Sequence, residues 1–210
     1  MKKFYTSIPL TVRKDLTEYL YEPVGNERLR LEVPTKYPIL TAVNGFVEPG
    51  EGFRVIAVAP KTEDGALNLR TFRDELKALC DRRGLLFPEH IETVETPKDV
   101  SVTSQIALFQ RLIEFAEDGD ELFACITYGT KPLSNALLMA VQYAYRLKKN
   151  TSISCIVYGE IDRSVSRDPQ AWKAYVYDET ALIKLDEITR ILAERGVARP
   201  KEVINGLLSL

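Results

Sequence analysis

Residues 127–131, Thr-Tyr-Gly-Thr-Lys, carry two aliphatic hydroxyls, a glycine and a lysine directly after an apolar run. A glycine lets the backbone come close to a ligand, and a helix that follows offers free N–H groups and the positive end of its dipole. Lys131 adds a full positive charge, and Thr127 and Thr130 can donate hydrogen bonds to phosphate oxygens. The segment is therefore a candidate anion site. A plain strand-to-helix turn, with threonines that cap the backbone and a solvated lysine, fits the spacing equally well.

Two other regions have residues that could contact a nucleotide. Thr6 and Ser7 follow an earlier predicted strand, and the polar segment RSVSRD could bring Arg163 or Arg167 to a phosphate. Three aromatic residues beyond it could stack on a base: Trp172, Tyr175 and Tyr177. The alternative for this region is an exposed polar loop that its aromatic residues anchor to the core.

The motifs of several common enzyme sites do not occur in the sequence. It contains no GxxxxGK[ST], no GxGxxG and no GxSxG. His90 is the single histidine, and the 3 cysteines lie far apart, so a zinc site is not expected. The residues predict neither a metal nor a cofactor.

Strand and helix patterns alternate from residue 53 to residue 159. Continuous apolar runs at 53–60, 121–127 and 151–159 predict buried strands, and apolar residues at helical spacing lie between them. Gly84 is expected to end one helix, and Pro132 suits the first turn of another. The pattern predicts an α/β fold, a Rossmann-like three-layer sandwich with a mostly parallel central sheet and a short C-terminal helical extension.

Some segments of the chain are predicted from shorter patterns. Residues 2–8 and 90–96 are predicted as short strands, and 37–47 as a strand or hairpin arm. Residues 160–178 are predicted as a loop that leads to a helix over 179–195, with a helical tail after Pro200.

The composition limits the partners and the location of the protein. The 28 Lys+Arg against 30 Asp+Glu give a net charge of -2, so there is no broad basic field and long nucleic acid is not an expected partner. No run approaches the roughly 18 apolar residues of a membrane helix, so we expect a soluble protein without a membrane partner. Cysteines in apolar runs without CxxC spacing favour a reducing cytoplasm.

The predicted helix 132–149 is apolar on more than one side. One stripe consists of Ala136, Leu137, Ala140, Val141 and Ala144. Leu138, Met139 and Tyr143 lie off that stripe. A helix that is apolar most of the way round is deeply buried or lies at a subunit interface, and we favour the interface. The sequence thus predicts a homodimer.

A buried strand that ends in Thr-x-Gly-Thr-Lys-Pro and leads into an apolar helix resembles the CRISPR-associated Rossmann fold (CARF) domain. The segments FYTSIPL, YPILTAVNGFV, FRVIAVAP and SISCIVYGEID are similar to its TM1812-type branch in kind and in order. The resemblance extends over residues 2–165.

The resemblance implies a homodimer that binds a cyclic oligoadenylate, the messenger of type III CRISPR antiviral defence. A cyclic tetra- or hexa-adenylate would lie across the two-fold axis, held by the loop after the first strand and the Gly-Thr-Lys loop. The ligand-binding residues expected here, with Arg163 added from the polar loop, are Thr6, Ser7, Ile8, Thr127, Tyr128, Gly129, Thr130, Lys131 and Arg163. Some members cleave their ligand, and Ser7 and Lys131 would then take part in catalysis.

Several alternatives stay open at this point. The protein is expected to be a sensor, with or without slow, metal-independent cleavage by the ribose 2′-hydroxyl, a dedicated ring nuclease, or a regulator that binds an unrelated nucleotide or only protein partners. Residues 1–165 would form the CARF domain, and 166–210 a loop and helical extension packed on it. Sensors of this family usually carry an effector after the CARF domain. The chain is thus either a stand-alone CARF protein or the receptor domain of a longer effector.

Overall fold

A central β-sheet organises the protein. The computed structural model describes residues 1–11, 16–168 and 171–209. Within these ranges seven strands form one sheet in the order β2-β7-β6-β5-β1-β3-β4. The strands are β1 Lys2–Ser7, β2 Tyr21–Val24, β3 Phe53–Ala59, β4 Ile91–Glu95, β5 Glu121–Cys125, β6 Ser152–Asp162 and β7 Lys173–Asp178. Neighbouring strands are parallel except β6 and β7, which are antiparallel.

Helices cover both faces of this sheet. Those in the described ranges are α1 Ile39–Phe46, α2 Glu63–Arg83, α3 Val102–Ile113, α4 Lys131–Leu147, α5 Thr180–Glu194 and α6 Pro200–Leu208. The predicted Rossmann-like three-layer sandwich is confirmed, and α5 and α6 form the C-terminal helical extension. None of the helices in the described part of the chain combines the length and the apolar character needed to cross a membrane.

Each face of the sheet has its own apolar core. On one face α1 and α2 pack over Phe4 and Phe123, whose stacked rings lie 4.4 Å apart. On the other face α3 and α4 pack over Tyr5 and Ile56. Successive residues of β1, Phe4 and Tyr5, therefore belong to opposite cores.

The predicted helix boundaries follow from local chemistry. The Thr62 side chain accepts a hydrogen bond from the Gly65 N–H and begins α2, and Gly84, with φ of 65°, ends it. Thr130 caps α4 in the same manner, and Pro132 lies in its first turn. The predictions made for Gly84 and Pro132 are confirmed.

The segment predicted as a strand at 37–47 is a helix. Residues Ile39–Phe46 form α1, and the Thr41 hydroxyl donates to the carbonyl of Pro38 in its first turn. A short apolar run fits a buried strand or a buried helix, and periodicity alone does not separate them. Packing decides between helix and strand for this segment. A Cβ on Gly45 would lie 1.7 Å from the Arg28 carbonyl oxygen, so α1 packs closely against the 3₁₀ turn Glu27–Leu29 at its glycine.

The segment predicted as a loop at 160–178 contains regular structure. Strand β6 continues to Asp162, and β7 occupies Lys173–Asp178 between β6 and β2. Ala174 and Val176 of β7 are buried, and the alternating residues Lys173, Tyr175 and Tyr177 are more exposed. This alternation is the pattern of a half-buried strand, and the charged and polar residues around it concealed it.

Candidate functional site

The sheet reverses its direction of growth between β1 and β5. From β1 the chain builds outward through β3 to β4, and it then returns to β5 and builds outward to β6 on the other side. Helices α1 and α2 lie on one face, and α3 and α4 lie on the other. In open α/β sheets this arrangement leaves a crevice beyond the carboxyl ends of the two central strands, and ligands bind there. The segments that follow β1 and β5 both begin at this crevice.

Three hydrogen bonds hold the 127–130 loop against its neighbours. The Ser7 hydroxyl donates to the Tyr128 carbonyl at 2.5 Å, and the Tyr128 hydroxyl donates to the Lys36 carbonyl at 2.6 Å. The Gly159 N–H donates to Thr127 Oγ1 at 2.7 Å. Burial raises the pKa of Tyr128 far above its ordinary value of 10.0, so its hydroxyl stays a donor. The protein itself therefore sets the shape of the loop.

Gly129 gives the loop its turn. Its φ is +96°, in a region that side chains rarely adopt, and a Cβ there would lie 3.1 Å from Leu133 Cδ2. Only a glycine fits both the backbone angle and the space without strain. That Gly129 also lets the backbone come close to a ligand stays a prediction.

The start of α4 carries hydrogen-bond donors that the protein does not use. Among the described residues, the N–H groups of Gly129, Thr130 and Lys131 have no acceptor. The Thr130 oxygen accepts from the Leu133 N–H at 3.4 Å and so keeps its own proton for a further bond. Lys131 is exposed, and no described carboxylate pairs with its ammonium. These donors converge on the positive end of a helix, an arrangement that binds anions.

The predicted residues of β1 lie beneath this surface. Thr6 and Ser7 are each 2% exposed and Ile8 is 1% exposed. The Ile8 N–H donates to the Val58 carbonyl at 2.7 Å and so continues the sheet ladder, while Ser7 supports Tyr128. A ligand that enters the crevice therefore meets residues 129–131 first, and the β1 residues support the loop from below.

Arg163 lies apart from these residues. It follows the last residue of β6, six positions after Val157, which pairs with Cys125. Thr127 at the start of the anion loop contacts Gly159, four residues before Arg163, so at about 3.3 Å per strand residue Arg163 lies about 13 Å further along the strand. Its guanidinium lies 5.0 Å from the centre of the Trp172 ring. The structure thus groups Arg163 with the β6–β7 ribbon.

His90 lies at the amino ends of the strands, on the side of the sheet opposite the crevice. It directly precedes β4, which is parallel to β3, and it lines a cavity with Met1, Phe53 and Arg54 at the amino ends of the strands. Within the described ranges, no group of three or more His, Cys, Asp or Glu side chains is arranged to hold a metal ion. The anion loop itself offers hydroxyls, N–H groups and the Lys131 ammonium.

An apolar groove adjoins the crevice on the α3–α4 side. It has a volume of about 350 Å³ and is lined by apolar residues that include Val102, Ile106, Phe109, Pro132 and Met139. Met139 is 48% exposed and Ile106 is 53% exposed, whereas the predicted apolar stripe of α4 is buried in the core. The off-stripe residue Met139 thus belongs to an open apolar surface beside Lys131.

Sequence reasoning missed one group of residues near the crevice. Tyr158 and Glu160 flank Gly159 in β6, where Gly159 contacts Thr127; the sequence predicted Tyr158 at the end of a strand and Glu160 in a loop. The alternating exposure of 157–160 is the pattern that could have revealed them.

Comparison with known proteins identifies no relative of this chain: no family model matches it, and no curated protein is significantly similar to it.

Proposed function

We propose that the protein is a homodimeric sensor of type III CRISPR antiviral defence that binds a cyclic tetra- or hexa-adenylate across its two-fold axis. The observation that carries the proposal is the set of unused donors at residues 129–131, placed where the sheet reverses. Three N–H groups, a threonine hydroxyl and the Lys131 ammonium fit the oxygens of a phosphodiester. The resemblance of the sequence to CARF domains supports an oligoadenylate as the bearer of those phosphates.

The apolar groove beside Lys131 supports the homodimer. Pro132 lines the groove and directly follows Lys131, so a second copy seated there would bring a second 129–131 loop close to the first. An isologous dimer places two copies of every loop about one axis, and a ring with an even number of nucleotides shares that symmetry. Tetra- and hexa-adenylate should therefore bind more tightly than tri-adenylate.

The deciding experiment is a calorimetric titration with cyclic tri-, tetra- and hexa-adenylate, combined with light scattering to give the oligomeric state. Lys131→Ala should weaken binding of the preferred ring by about 1.5–3 kcal/mol, roughly ten- to a hundredfold, because it removes a charge-assisted hydrogen bond. Lys149→Ala, at an exposed lysine just past the other end of α4, is the matched control and should bind as wild type does. A monomer, or wild-type affinity in Lys131→Ala, would contradict the proposal.

The same site fits slow cleavage of the ring. A ribose 2′-oxygen attacks the adjacent phosphorus, the bond from phosphorus to the 5′-oxygen breaks, and the hydroxyl proton ends on that 5′-oxygen. Lys131 and the N–H groups of 129–131 would stabilise the charge on the phosphorane oxygens. Ser7 is buried and its hydroxyl donates a hydrogen bond to the Tyr128 carbonyl, so it positions the loop. His90, at the opposite sheet edge, cannot serve as the base, and turnover should be slow.

The products distinguish this chemistry from others. We expect linear fragments that end in a 2′,3′-cyclic phosphate, formed at an unchanged rate in excess EDTA and lost in Lys131→Ala. Fast, EDTA-sensitive cleavage that leaves a 3′-hydroxyl would contradict the mechanism while leaving the binding proposal intact.

A further inference from the structure

A second exposed surface lies on the ribbon formed by β6 and β7. The cross-strand pairs on its outer face are Tyr158 with Tyr177, Glu160 with Tyr175, and Asp162 with Lys173. Glu22 of β2 pairs with Tyr175 and continues the same face. The opposite face of the ribbon buries Val157, Ala174 and Val176 in the core. We refer to the outer surface made by Tyr158, Glu160, Tyr175 and Tyr177 as the tyrosine face.

The three tyrosines form a row. The ring centres of Tyr158 and Tyr177 lie 6.4 Å apart with an angle of 32° between planes, and those of Tyr175 and Tyr177 lie 6.5 Å apart. Tyr158 is 39% exposed and forms the open end of the row. The Tyr177 hydroxyl donates to Glu160 Oε2 at 2.8 Å, and this bond fixes the carboxylate beside the rings. The other oxygen of Glu160 has no partner within the described part of the chain.

The charge of this surface decides what it can bind. Glu22, Glu160 and Asp162 face the same side as the rings, and Lys173 is the basic residue within the cross-strand pairs of that face. An excess of carboxylates repels the phosphates of a nucleic acid and attracts a cation, and the faces of tyrosine rings attract a cation as well. At the tip of the same ribbon the protein already makes such a contact, between the Arg163 guanidinium and the Trp172 ring.

We propose that the tyrosine face is a docking site for an arginine side chain of a partner polypeptide. The guanidinium stacks on Tyr158 and pairs with the free oxygen of Glu160. Arginine fits better than lysine because its planar group stacks on rings and is more weakly hydrated. The site is separate from the anion loop and does not depend on which ligand that loop binds.

The test measures binding of a fluorescent, capped hexa-arginine peptide to the full chain by anisotropy. Tyr158→Leu, which keeps an apolar side chain but removes the ring, should weaken binding about threefold, and Tyr158→Phe should not. Glu160→Gln should weaken it by a similar factor, and the two changes together about tenfold. Tyr145→Leu is the matched control, since Tyr145 is also 39% exposed but lies on α4.

Several outcomes would overturn the assignment. The assignment is wrong if hexa-arginine does not bind the wild type. It is equally wrong if the peptide binds Tyr158→Leu/Glu160→Gln as tightly as the wild type while a thermal melt shows that variant to be folded. Tighter binding of linear hexa-adenylate that is lost in Tyr158→Leu would show a base-stacking surface instead. Lys131→Ala should leave peptide binding unchanged, which keeps this result independent of the proposed sensor function.

Discussion

A lysine lies near each end of β1, and the two lysines are treated in opposite ways. At the amino end Lys3 is fully buried, and its Nζ donates to the Phe115 carbonyl at 2.6 Å and lies 2.5 Å from Glu117 and 2.8 Å from Asp120. Beside the carboxyl end Lys131 is exposed, and the described residues offer its ammonium no carboxylate. The ammonium of Lys3 is fully engaged by groups of the same chain, whereas the ammonium of Lys131 is available to a ligand.

The difference shows how the same residue type serves fold or function. Removing one partner of a buried ion pair leaves an uncompensated charge in the interior and is strongly destabilising. The contacts of Lys3 with Glu117 and Asp120 therefore join β1 firmly to the segment before β5. An exposed, unpaired lysine contributes little to stability and keeps its full charge for an anion. The comparison predicts that mutations at the two ends separate stability from binding.

The largest effect is expected at Lys3. Lys3→Ala should lower the free energy of unfolding by about 3–5 kcal/mol, because the side chain of Asp120, only 1% exposed, loses its main partner. Lys131→Ala should change it by less than about 0.5 kcal/mol. Urea unfolding followed by circular dichroism measures both.

A double variant sharpens that result. Lys3→Met with Asp120→Asn removes both charges and should recover part of the stability lost in Lys3→Ala. Equal stabilities of Lys3→Ala and Lys131→Ala would remove the distinction between the two ends.

The second effect concerns the shape of the anion loop. Gly129→Ala should destabilise the protein by about 1–2 kcal/mol, because alanine at φ of +96° is strained and its Cβ would press on Leu133. Gly50→Ala is the matched control, since Gly50 has φ of +82° and nothing within 4 Å of its Cβ position. Chemical denaturation and a ring titration should both show a larger effect for Gly129→Ala. A greater loss in Gly50→Ala would mean that contact with Leu133 does not constrain the loop.

Much of the fold could be predicted from the sequence because its strands and helices carry strong local patterns. Buried parallel strands such as Phe53–Ala59 are continuous apolar runs, and α4 begins with a threonine and a proline that suit its first turn. Helix α1 and strand β7 were missed because their identity depends on packing against distant segments. Short elements carry too little periodicity to decide between helix and strand.

The candidate site, like the fold, could be predicted from the sequence only in part. The sequence could place Gly129, Thr130 and Lys131 at a strand-to-helix junction, since residue types and order suffice for that. It could not show that Ser7 faces inward and holds the Tyr128 carbonyl, because this depends on the pairing of β1 with β5. It also could not separate Arg163 from the loop, because the length of β6 is set by β7.

The third effect separates the two roles of Thr130. Thr130→Ala should lower the unfolding free energy by about 0.5–1 kcal/mol, because the cap to the Leu133 N–H is lost. Thr130→Asp keeps an oxygen for the cap and should retain the stability. Its carboxylate, however, should repel a phosphate and abolish ring binding. Thermal melts paired with titrations test this, and tight ring binding by Thr130→Asp would place the ligand elsewhere.

The smallest expected effect is a loss of stability in acid that originates at the amino end. The hydrogen bond from Lys3 lowers the pKa of Glu117 from its ordinary value of 4.5. A carboxyl whose pKa is lower in the folded state stabilises the fold above its unfolded pKa, and this contribution disappears as the pH falls through the folded pKa. The unfolding free energy of Glu117→Gln should therefore fall less steeply below pH 4.5 than that of the wild type, as measured by urea titrations at successive pH values. Glu89→Gln, at an exposed carboxyl, is the control. A slope unchanged by Glu117→Gln would mean that Asp120 alone balances the charge of Lys3.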